Sequence, residues 1–192
     1  MIPFIQNWLG MLWLVFGIVW LLAAFTSKRS AQRQTYGSRV MQSSLMLIGV
    51  LFIFNFLGWF RHGWLETRLI PETQPWVLFG AILTVAGILT CFWARAILGR
   101  NWSSTVTIKH GHELILRGPY RFVRHPIYTG ILIGMLGSAV VYGIARCFIG
   151  VLICGIALWM KLQIEERFMT QQFGDQYTQY RQKVRALVPF VL

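Results

Sequence analysis

The run between residues 117 and 130 is the part of this sequence best equipped for chemistry. It places three arginines and a histidine directly before an apolar segment that begins at Ile127. Pro126 pushes His125 out of the helical region and itself suits the first position of a helix. We therefore expect His125 to be extended at a helix N-terminus whose free N–H groups and dipole attract a carboxylate or phosphate. A basic membrane anchor with a proline start would show the same local features.

A second charged group, Lys161, Glu165 and Glu166, follows a later apolar run. Lys161 and Glu165 are four residues apart and would share one face of a helix. Acidic residues at the end of a membrane helix are costly unless they are paired or hydrated. They could form an interfacial ion pair with the lysine. Alternatively, Glu165 faces a cationic ligand and Lys161 an anionic one.

The composition places these groups in a membrane protein. The chain has 192 residues, of which 56% are hydrophobic and only 12% are charged, whereas soluble domains contain about 25% charged residues. The net charge of +12 would suit nucleic acid, but the cations lie in short loops between apolar runs, so we exclude a nucleic-acid partner. The three cysteines lie within apolar runs without metal-ligand spacing, so we expect buried thiols and no metal site.

The apolar runs predict an all-α integral membrane fold with about five transmembrane helices. They cover residues 5–25, 43–60, 76–98, 127–144 and 147–160. Only a tight turn separates the last two, which predicts a C-terminal helical hairpin whose second helix continues through the 161–166 charges. Glycines at 130, 134 and 137 predict close helix contact. Asn55 lies within the second run, where an interhelical hydrogen bond is the commoner role.

Loop charges predict the orientation. The loop after the first run carries Lys28, Arg29, Arg33 and Arg39 without an acid, which indicates the cytoplasm. In the 61–74 loop the fixed charges cancel, which suits the outer side. The N-terminus would then lie outside and the C-terminus in the cytoplasm, at the inner membrane if the protein is bacterial. Because no basic segment precedes the first run, we interpret it as a retained helix rather than a signal peptide.

This orientation divides the chain by role. Residues 1–98 would form three N-terminal spans. Residues 99–192 would form a catalytic region with a long cytoplasmic loop, the hairpin and an amphipathic tail, and the loop has weak alternation near residues 105–108 that favours extended backbone. Long polar loops on a rigid scaffold often carry function. Both charged groups described above would meet on the cytoplasmic face.

The ordered set of C-terminal motifs resembles the isoprenylcysteine carboxyl methyltransferase family of membrane enzymes, and more loosely the phospholipid N-methyltransferases. The resemblance covers roughly residues 112–189. It rests on Arg124-His125-Pro126-x-Tyr128, the hairpin, Glu165-Glu166, and Phe173-Gly174-x-x-Tyr177-x-x-Tyr180.

The resemblance implies an S-adenosylmethionine-dependent methyltransferase with a cytoplasmic cofactor site. By position it implies these cofactor-binding residues: His112, Glu113, Leu114, Ile115, Tyr120, His125, Pro126, Ile127, Tyr128, Glu165 and Glu166. Glu165 and Lys161 would be catalytic, with Glu165 on the cofactor's amino group and Lys161 where the family has a substrate-facing arginine. Lysine keeps the charge of that arginine but loses its bidentate fork.

The resemblance also implies a lipophilic or lipidated acceptor that arrives from the membrane, with carboxyl O-methylation of an isoprenylcysteine-type substrate favoured. A phospholipid amine and a small thiol are the alternative acceptors. An NADPH-dependent enzyme similar to sterol reductases is a further alternative, although this chain lacks their extra spans. A transporter or assembly subunit is disfavoured because no span carries a central charge.

Overall fold

A computed structural model describes residues 2–24, 30–33, 35–56, 58–60, 62–99, 107–109 and 114–188. Its elements are helices α1 (Ile2–Ala24), α2 (Tyr36–Phe54), α3 (Gln74–Leu98), α4 (Pro126–Tyr142), α5 (Ala145–Phe173) and α6 (Asp175–Lys183), strands β1 (Ser30–Arg33) and β2 (Thr107–Lys109), and two 3₁₀ turns at Trp64–Glu66 and Gly118–Arg121.

The helices confirm the all-α membrane fold. Helices α1, α2, α3 and α5 are long and apolar enough to cross a membrane, and α4 is a shorter apolar helix of 17 residues. Helix α5 has 29 residues, which corresponds to about 44 Å, whereas the hydrocarbon core is about 30 Å thick. Its C-terminal turns, which carry the paired glutamates, therefore extend to the membrane surface.

Glycines bring two pairs of helices into close contact. A Cβ atom at Gly87 of α3 would lie 2.4 Å from the carbonyl oxygen of Gly130 of α4, and one at Gly137 would lie 2.5 Å from the carbonyl oxygen of Gly80. Helices α2 and α5 meet in the same way, because a Cβ atom at Gly49 would lie 2.7 Å from the Gly150 carbonyl oxygen. Small residues give such contacts in the absence of a hydrophobic driving force between membrane helices. The predicted role of the α4 glycines is confirmed.

Polar contacts inside the bundle join α1 to this scaffold. Trp13 of α1 donates its indole N–H to Ser138 Oγ at 2.9 Å, and Thr84 Oγ1 lies 3.3 Å from the same oxygen. Interhelical hydrogen bonds of this kind satisfy polar groups where water is absent. The α3–α4 pair therefore supports α1 as well as the segment that precedes Pro126.

The loops divide between the two ends of the bundle as the five-helix topology requires. Strands β1 and β2 pair antiparallel, with Ser30 opposite Lys109, so the loop after α1 and the loop before α4 share one end. At the other end the N–H groups of Leu69 and Ile70 both donate to the Gly143 carbonyl oxygen between α4 and α5.

The second predicted span is displaced in the structure. Helix α2 begins at Tyr36 rather than residue 43 and ends at Phe54, so Asn55 is not within a helix. Asn55 has a φ of 47°, a conformation that asparagine tolerates better than most residues. Its amide donates to the Phe60 carbonyl oxygen at 2.7 Å and its side-chain oxygen accepts from the Phe60 N–H at 3.2 Å. The expectation of an interhelical hydrogen bond was wrong because Asn55 closes the helix instead.

The tail is divided by a glycine. Helix α5 ends at Phe173, and Gly174 has a φ of 52°, which a residue with a side chain rarely adopts. Helix α6 then presents Tyr177 and Tyr180 to the protein, and both side chains are buried. Beyond α6 the chain returns alongside the segment that contains His125.

Candidate active site

The segment before α4 is fixed by backbone pairing with the tail. The N–H of Arg124 donates to the Arg185 carbonyl oxygen at 2.8 Å, and the N–H of His125 donates to the Ala186 carbonyl oxygen at 3.0 Å. Thr129 adds a hydroxyl donor to the Leu187 carbonyl oxygen at 2.7 Å. Residues more than 50 positions apart in the chain therefore form one rigid unit around His125.

His125 caps α4 much as expected. Its backbone (φ −124°, ψ 61°) is outside the helical region, although it is not fully extended. The N–H groups of Tyr128 and Thr129 both donate to the His125 carbonyl oxygen, and proline has no N–H. Among residues 126–129 only Ile127 therefore has a backbone N–H that these hydrogen bonds do not use. The helix N-terminus offers fewer free N–H donors to a ligand than the sequence suggested.

Glu166 is the centre of a buried ionic cluster. Its Oε1 accepts from Arg124 Nε at 2.8 Å, from Tyr177 Oη at 2.9 Å, and lies 2.9 Å from His125 Nε2. Arg181 Nε lies 2.8 Å from Oε2 as an ion pair that lacks hydrogen-bond geometry. The Glu166 side chain is only 6% exposed. These contacts make it a structural tie between α4, α5 and α6 rather than a group open to a ligand.

Glu165 has fewer partners and a different environment. Its Oε1 accepts from the Tyr128 hydroxyl at 2.5 Å, and its Oε2 lies 3.4 Å from His125 Nδ1. Its side chain is 24% exposed, four times the exposed fraction of Glu166. A carboxylate has about four lone-pair positions, so Glu165 keeps the capacity to accept further hydrogen bonds from a bound cation.

The two carboxylates determine the charge of His125. Burial lowers the pKa of His125, but the hydrogen bonds and negative charges of Glu165 and Glu166 outweigh burial, so its pKa lies above the ordinary value. Each ring nitrogen faces one of the two carboxylates. Protonated His125 then offers an N–H to both and holds them side by side.

Tyr128 connects this cluster to Lys161. The His125 and Tyr128 rings are stacked, with centroids 5.4 Å apart and planes 7° apart. The Lys161 ammonium lies 5.7 Å from the Tyr128 ring centroid, within the range of a cation–π interaction. The expected proximity of Lys161 to the candidate cofactor residues is therefore present, with Tyr128 between them.

A buried apolar cluster adjoins the carboxylates through Tyr128. It contains Tyr120, Ile127, Tyr128, Leu158 and Leu162, and Ile115 packs against it. The Tyr180 hydroxyl donates to the Tyr120 carbonyl oxygen at 2.6 Å and fixes the 3₁₀ turn in place. The site therefore combines a partly exposed carboxylate with aromatic and aliphatic walls.

The structure brings most of the sequence-predicted residues to one place. Ile115, Tyr120, Ile127, Tyr128, Glu165, Glu166, His125 and Lys161 all belong to the ionic or apolar cluster. Pro126 is buried beside them, and Leu114 is half-buried one residue before Ile115. His112 and Glu113 lie outside the described residues, so their predicted roles stay predictions.

Three residues of the ionic cluster were absent from the predicted site. Arg124, Tyr177 and Arg181 all contact Glu166. Arg124 and Tyr177 belong to the motifs on which the resemblance rests, but local spacing could not show that α6 returns to the N-terminus of α4. Within the described part of the chain, no group of three or more histidine, cysteine, aspartate or glutamate side chains is placed to hold a metal.

The residue types at the site suit S-adenosylmethionine, the methyl donor that the resemblance implies. That cofactor carries an ammonium, a sulfonium and an aromatic base. The partly exposed Glu165 offers a carboxylate to a cation, and the neighbouring buried cluster offers aromatic and aliphatic surface.

Comparisons with known proteins indicate a family of methyltransferases. The family model for phospholipid methyltransferase matches residues 76–176. Protein-S-isoprenylcysteine O-methyltransferase B of Arabidopsis thaliana is 31% identical over 157 residues, which cover 76% of this chain and 72% of that protein. Methanethiol S-methyltransferase 1 of Bradyrhizobium diazoefficiens is 37% identical over 71 residues, but these cover only 37% of this chain and 24% of that protein.

A solved structure shares the fold. The eukaryotic intramembrane Ras methyltransferase, an isoprenylcysteine carboxyl methyltransferase, superposes with a TM-score of 0.57 at 20% identity. The superposition covers 82% of this chain and 54% of the other, so this chain spans about half the length of that enzyme. With its apolar helices, its paired glutamates and a relative matched over most of both chains, this protein is a multi-pass membrane methyltransferase of the isoprenylcysteine carboxyl methyltransferase family.

Proposed function

We propose that this enzyme transfers a methyl group from S-adenosylmethionine to the carboxylate of an isoprenylcysteine-type, lipid-tailed acceptor. The observation that carries the proposal is the contrast within the glutamate pair: Glu166 is enclosed by cationic and hydroxyl partners, whereas Glu165 is partly exposed beside an aromatic cluster. When bound, the cofactor supplies an electrophilic methyl group on a positively charged sulfur.

Glu165 would accept hydrogen bonds from the cofactor's amino group. His125 and Tyr128 hold the two oxygens of Glu165 and so fix the orientation of the carboxylate before the ligand arrives. Tyr120, Ile127 and Ile115 would enclose the aromatic base. His112, Glu113, Leu114, Pro126 and Glu166 complete the proposed set, with Glu166 acting through His125 rather than by direct contact.

Lys161 would orient the acceptor. It lies one helical turn before Glu165, on the side toward the membrane interior, and contacts Tyr128. In methyl transfer to a carboxylate, the carbon–sulfur bond breaks as a carbon–oxygen bond forms, and no proton has to be removed. The protein's task is then to position both reactants and exclude water, since charge is neutralised as the methyl group moves.

The orientation is part of the proposal. The end of the bundle that holds the site also holds the β1–β2 pair, and we infer that it faces the cytoplasm, with the N-terminus outside. We also propose that residues 99–192 carry the chemistry and residues 1–98 support them. A reporter fused after residue 192 should be active in the cytoplasm, and one inserted in the 66–72 loop should be active outside.

The proposal is tested by radiolabelled methyl transfer with purified protein. A prenylcysteine acid, a phosphatidylethanolamine and methanethiol serve as parallel acceptors, with the Glu165→Gln variant as the control for background transfer. We expect the wild type to transfer radiolabel to the prenylcysteine acid and Glu165→Gln to give only background label. Label on the amine lipid alone, or on the thiol alone, would instead assign the corresponding acceptor.

Two observations favour these alternative acceptors. The matching family model is that of phospholipid methyltransferase, and one similar protein is a methanethiol S-methyltransferase. Lys161 speaks against the amine, because a fixed cation would repel a protonated amino group. An NADPH-dependent enzyme would bind NADPH in the same preparation. We do not expect such binding.

A further inference from the structure

A basic cavity lies beside the ionic cluster around Glu166, because two of its lining residues, Arg124 and Arg181, pair with that carboxylate. Its volume is about 340 Å³. It is lined by Arg124, Thr178, Arg181, Gln182, Arg185 and Ala186. Three of these six residues carry a guanidinium group and none carries a carboxylate, so the cavity has the composition of an anion site.

The positive charge of the cavity exceeds what its neighbours neutralise. Arg124 and Arg181 share a single carboxylate, that of Glu166, which also faces His125. Arg185 forms no salt bridge with any residue that the structure describes. The Arg181 side chain is 50% exposed, so a ligand can reach it from solvent. Guanidinium groups bind phosphate oxygens in a bidentate manner and are the preferred side chains for such groups.

Exposed apolar side chains lie close in sequence to the lining of this cavity. Phe122 is 60% exposed and Val188 is 45% exposed, and they are two and three residues from the lining residues Arg124 and Arg185. Helix α6 begins two residues after α5 ends, and so it lies where the chain leaves the bilayer. A surface with both cations and exposed apolar groups suits the headgroup region of a membrane, where each finds a partner.

We propose that this cavity binds the phosphate of an anionic phospholipid headgroup. Arg185 and Arg181 contact the phosphate oxygens, the Gln182 amide provides a neutral donor, and Phe122 and Val188 face the adjoining acyl region. A free inorganic anion would use the guanidinium groups but would gain nothing from the exposed Phe122 and Val188. The proposal concerns lipid binding and does not depend on the identity of the methyl acceptor.

The test is native mass spectrometry of the full chain released from neutral detergent, with added dioleoylphosphatidylglycerol or dioleoylphosphatidylcholine. The variant is Arg185→Gln, and the matched control is Lys183→Gln, which removes the same charge from the end of α6 outside the cavity lining. We expect the wild type to bind its first phosphatidylglycerol molecule with about tenfold higher affinity than its first phosphatidylcholine molecule. We expect Arg185→Gln to lose about tenfold in that affinity and Lys183→Gln less than twofold.

Three outcomes would overturn the proposal. Equal losses in the Arg185 and Lys183 variants would show diffuse surface charge. Inorganic phosphate that displaces the bound lipid at equal concentration would show a free-anion site. An Arg185→Lys variant with wild-type affinity would show that no guanidinium fork is used. Melting temperatures of all variants are measured in parallel. If Arg185→Gln has a lowered melting temperature, Arg185→Lys tests the proposal instead. We expect its lipid affinity to lie between those of the wild type and Arg185→Gln.

Discussion

The two ends of helix α5 both bury a charged pair, yet only one of them has the features of an active site. At the start of the helix Arg146 donates Nε to Glu66 at 2.6 Å. Its Nη1 donates to the carbonyl oxygens of Phe52 and Ile53, at 2.6 and 2.8 Å, in the last turn of α2. A cation at a helix C-terminus is favourable, so every contact of this guanidinium has a structural purpose.

At the other end two carboxylates are present. Glu166 joins the segment before α4 to α5 and α6, whereas Glu165 adds a second negative charge that contacts Tyr128 and His125 and keeps lone pairs open to a ligand. Exposure alone does not distinguish the two ends, because Glu66 is 27% exposed and Glu165 is 24% exposed. The difference lies in the surroundings. Glu66 is part of the Trp64–Glu66 turn and faces one arginine, whereas Glu165 lies among a histidine, a tyrosine and a buried aromatic cluster. A surplus charge with ordered neighbours indicates ligand binding.

The largest effect should come from Glu166→Gln. This change leaves Arg124, Arg181 and protonated His125 without their common carboxylate, and breaking a buried ion pair costs about 3–5 kcal/mol. We expect a lower melting temperature in detergent and a lower yield of folded protein. The molecules that do fold should lose less in cofactor affinity than the protein loses in stability.

Arg146→Met is the matched control for that change. It breaks the buried pair at the opposite end of α5 and should cost stability on the same scale of about 3–5 kcal/mol, while methyl transfer per folded molecule stays at the wild-type level. If Arg146→Met lowered methyl transfer per folded molecule as strongly as it lowered stability, the distinction between the two ends would be wrong.

Glu165→Gln should have the reverse profile. The amide keeps the size of the side chain but removes the charge that would hold the cofactor's amino group, so S-adenosylmethionine binding should weaken by about 1.5–3 kcal/mol. The melting temperature should fall less than in Glu166→Gln, because the amide oxygen can still accept from the Tyr128 hydroxyl and Glu165 has fewer charged partners than Glu166. Calorimetry on folded protein gives the affinity. Unchanged affinity in Glu165→Gln, with a loss in Glu166→Gln, would exchange the roles of the two acids.

Sequence reasoning succeeded where one short segment contains the whole signal. Apolar runs predicted the five helices, and the four-residue spacing predicted that Lys161 and Glu165 share one face of α5, where both contact Tyr128. The prediction for Asn55 was wrong, because a single polar residue within an apolar run is assigned to the helix, and the sequence does not show that its backbone is left-handed. Sequence reasoning also could not find the tie between Glu166 and Tyr177 or Arg181, since the break at Gly174 redirects α6 and the resulting contacts depend on tertiary packing.

The charge of His125 should make stability depend on pH. Because its pKa is raised in the folded protein, protonated His125 contributes stability fully below its unfolded pKa of about 6.5. That contribution is lost as the pH rises through the folded pKa, with a slope of at most about 1.4 kcal/mol per pH unit. Unfolding measured in detergent from pH 6 upward should therefore show a decline that His125→Gln flattens. A wild-type profile that matches the variant's would mean that His125 is neutral in the fold.

The smallest effect should come from Lys161, and it distinguishes the acceptors. Lys161 is half-buried and its ammonium lies against the Tyr128 ring, and we expect its replacement by a residue of similar length to leave the fold and cofactor affinity nearly intact. If it orients an acceptor carboxylate, Lys161→Met should lower kcat/KM for a prenylcysteine acid about fivefold, as a loss of about 1 kcal/mol requires.

Lys161→Arg completes this comparison, because it keeps the charge and adds a bidentate fork. We expect it to retain or exceed wild-type kcat/KM with the prenylcysteine acid. With phosphatidylethanolamine the order should reverse, since removal of a cation near a protonated amine relieves repulsion. A Met variant that is harmless with the carboxylate and helpful with the amine would place Lys161 beside an amine acceptor, and the surplus charge of Glu165 would then serve the cofactor alone.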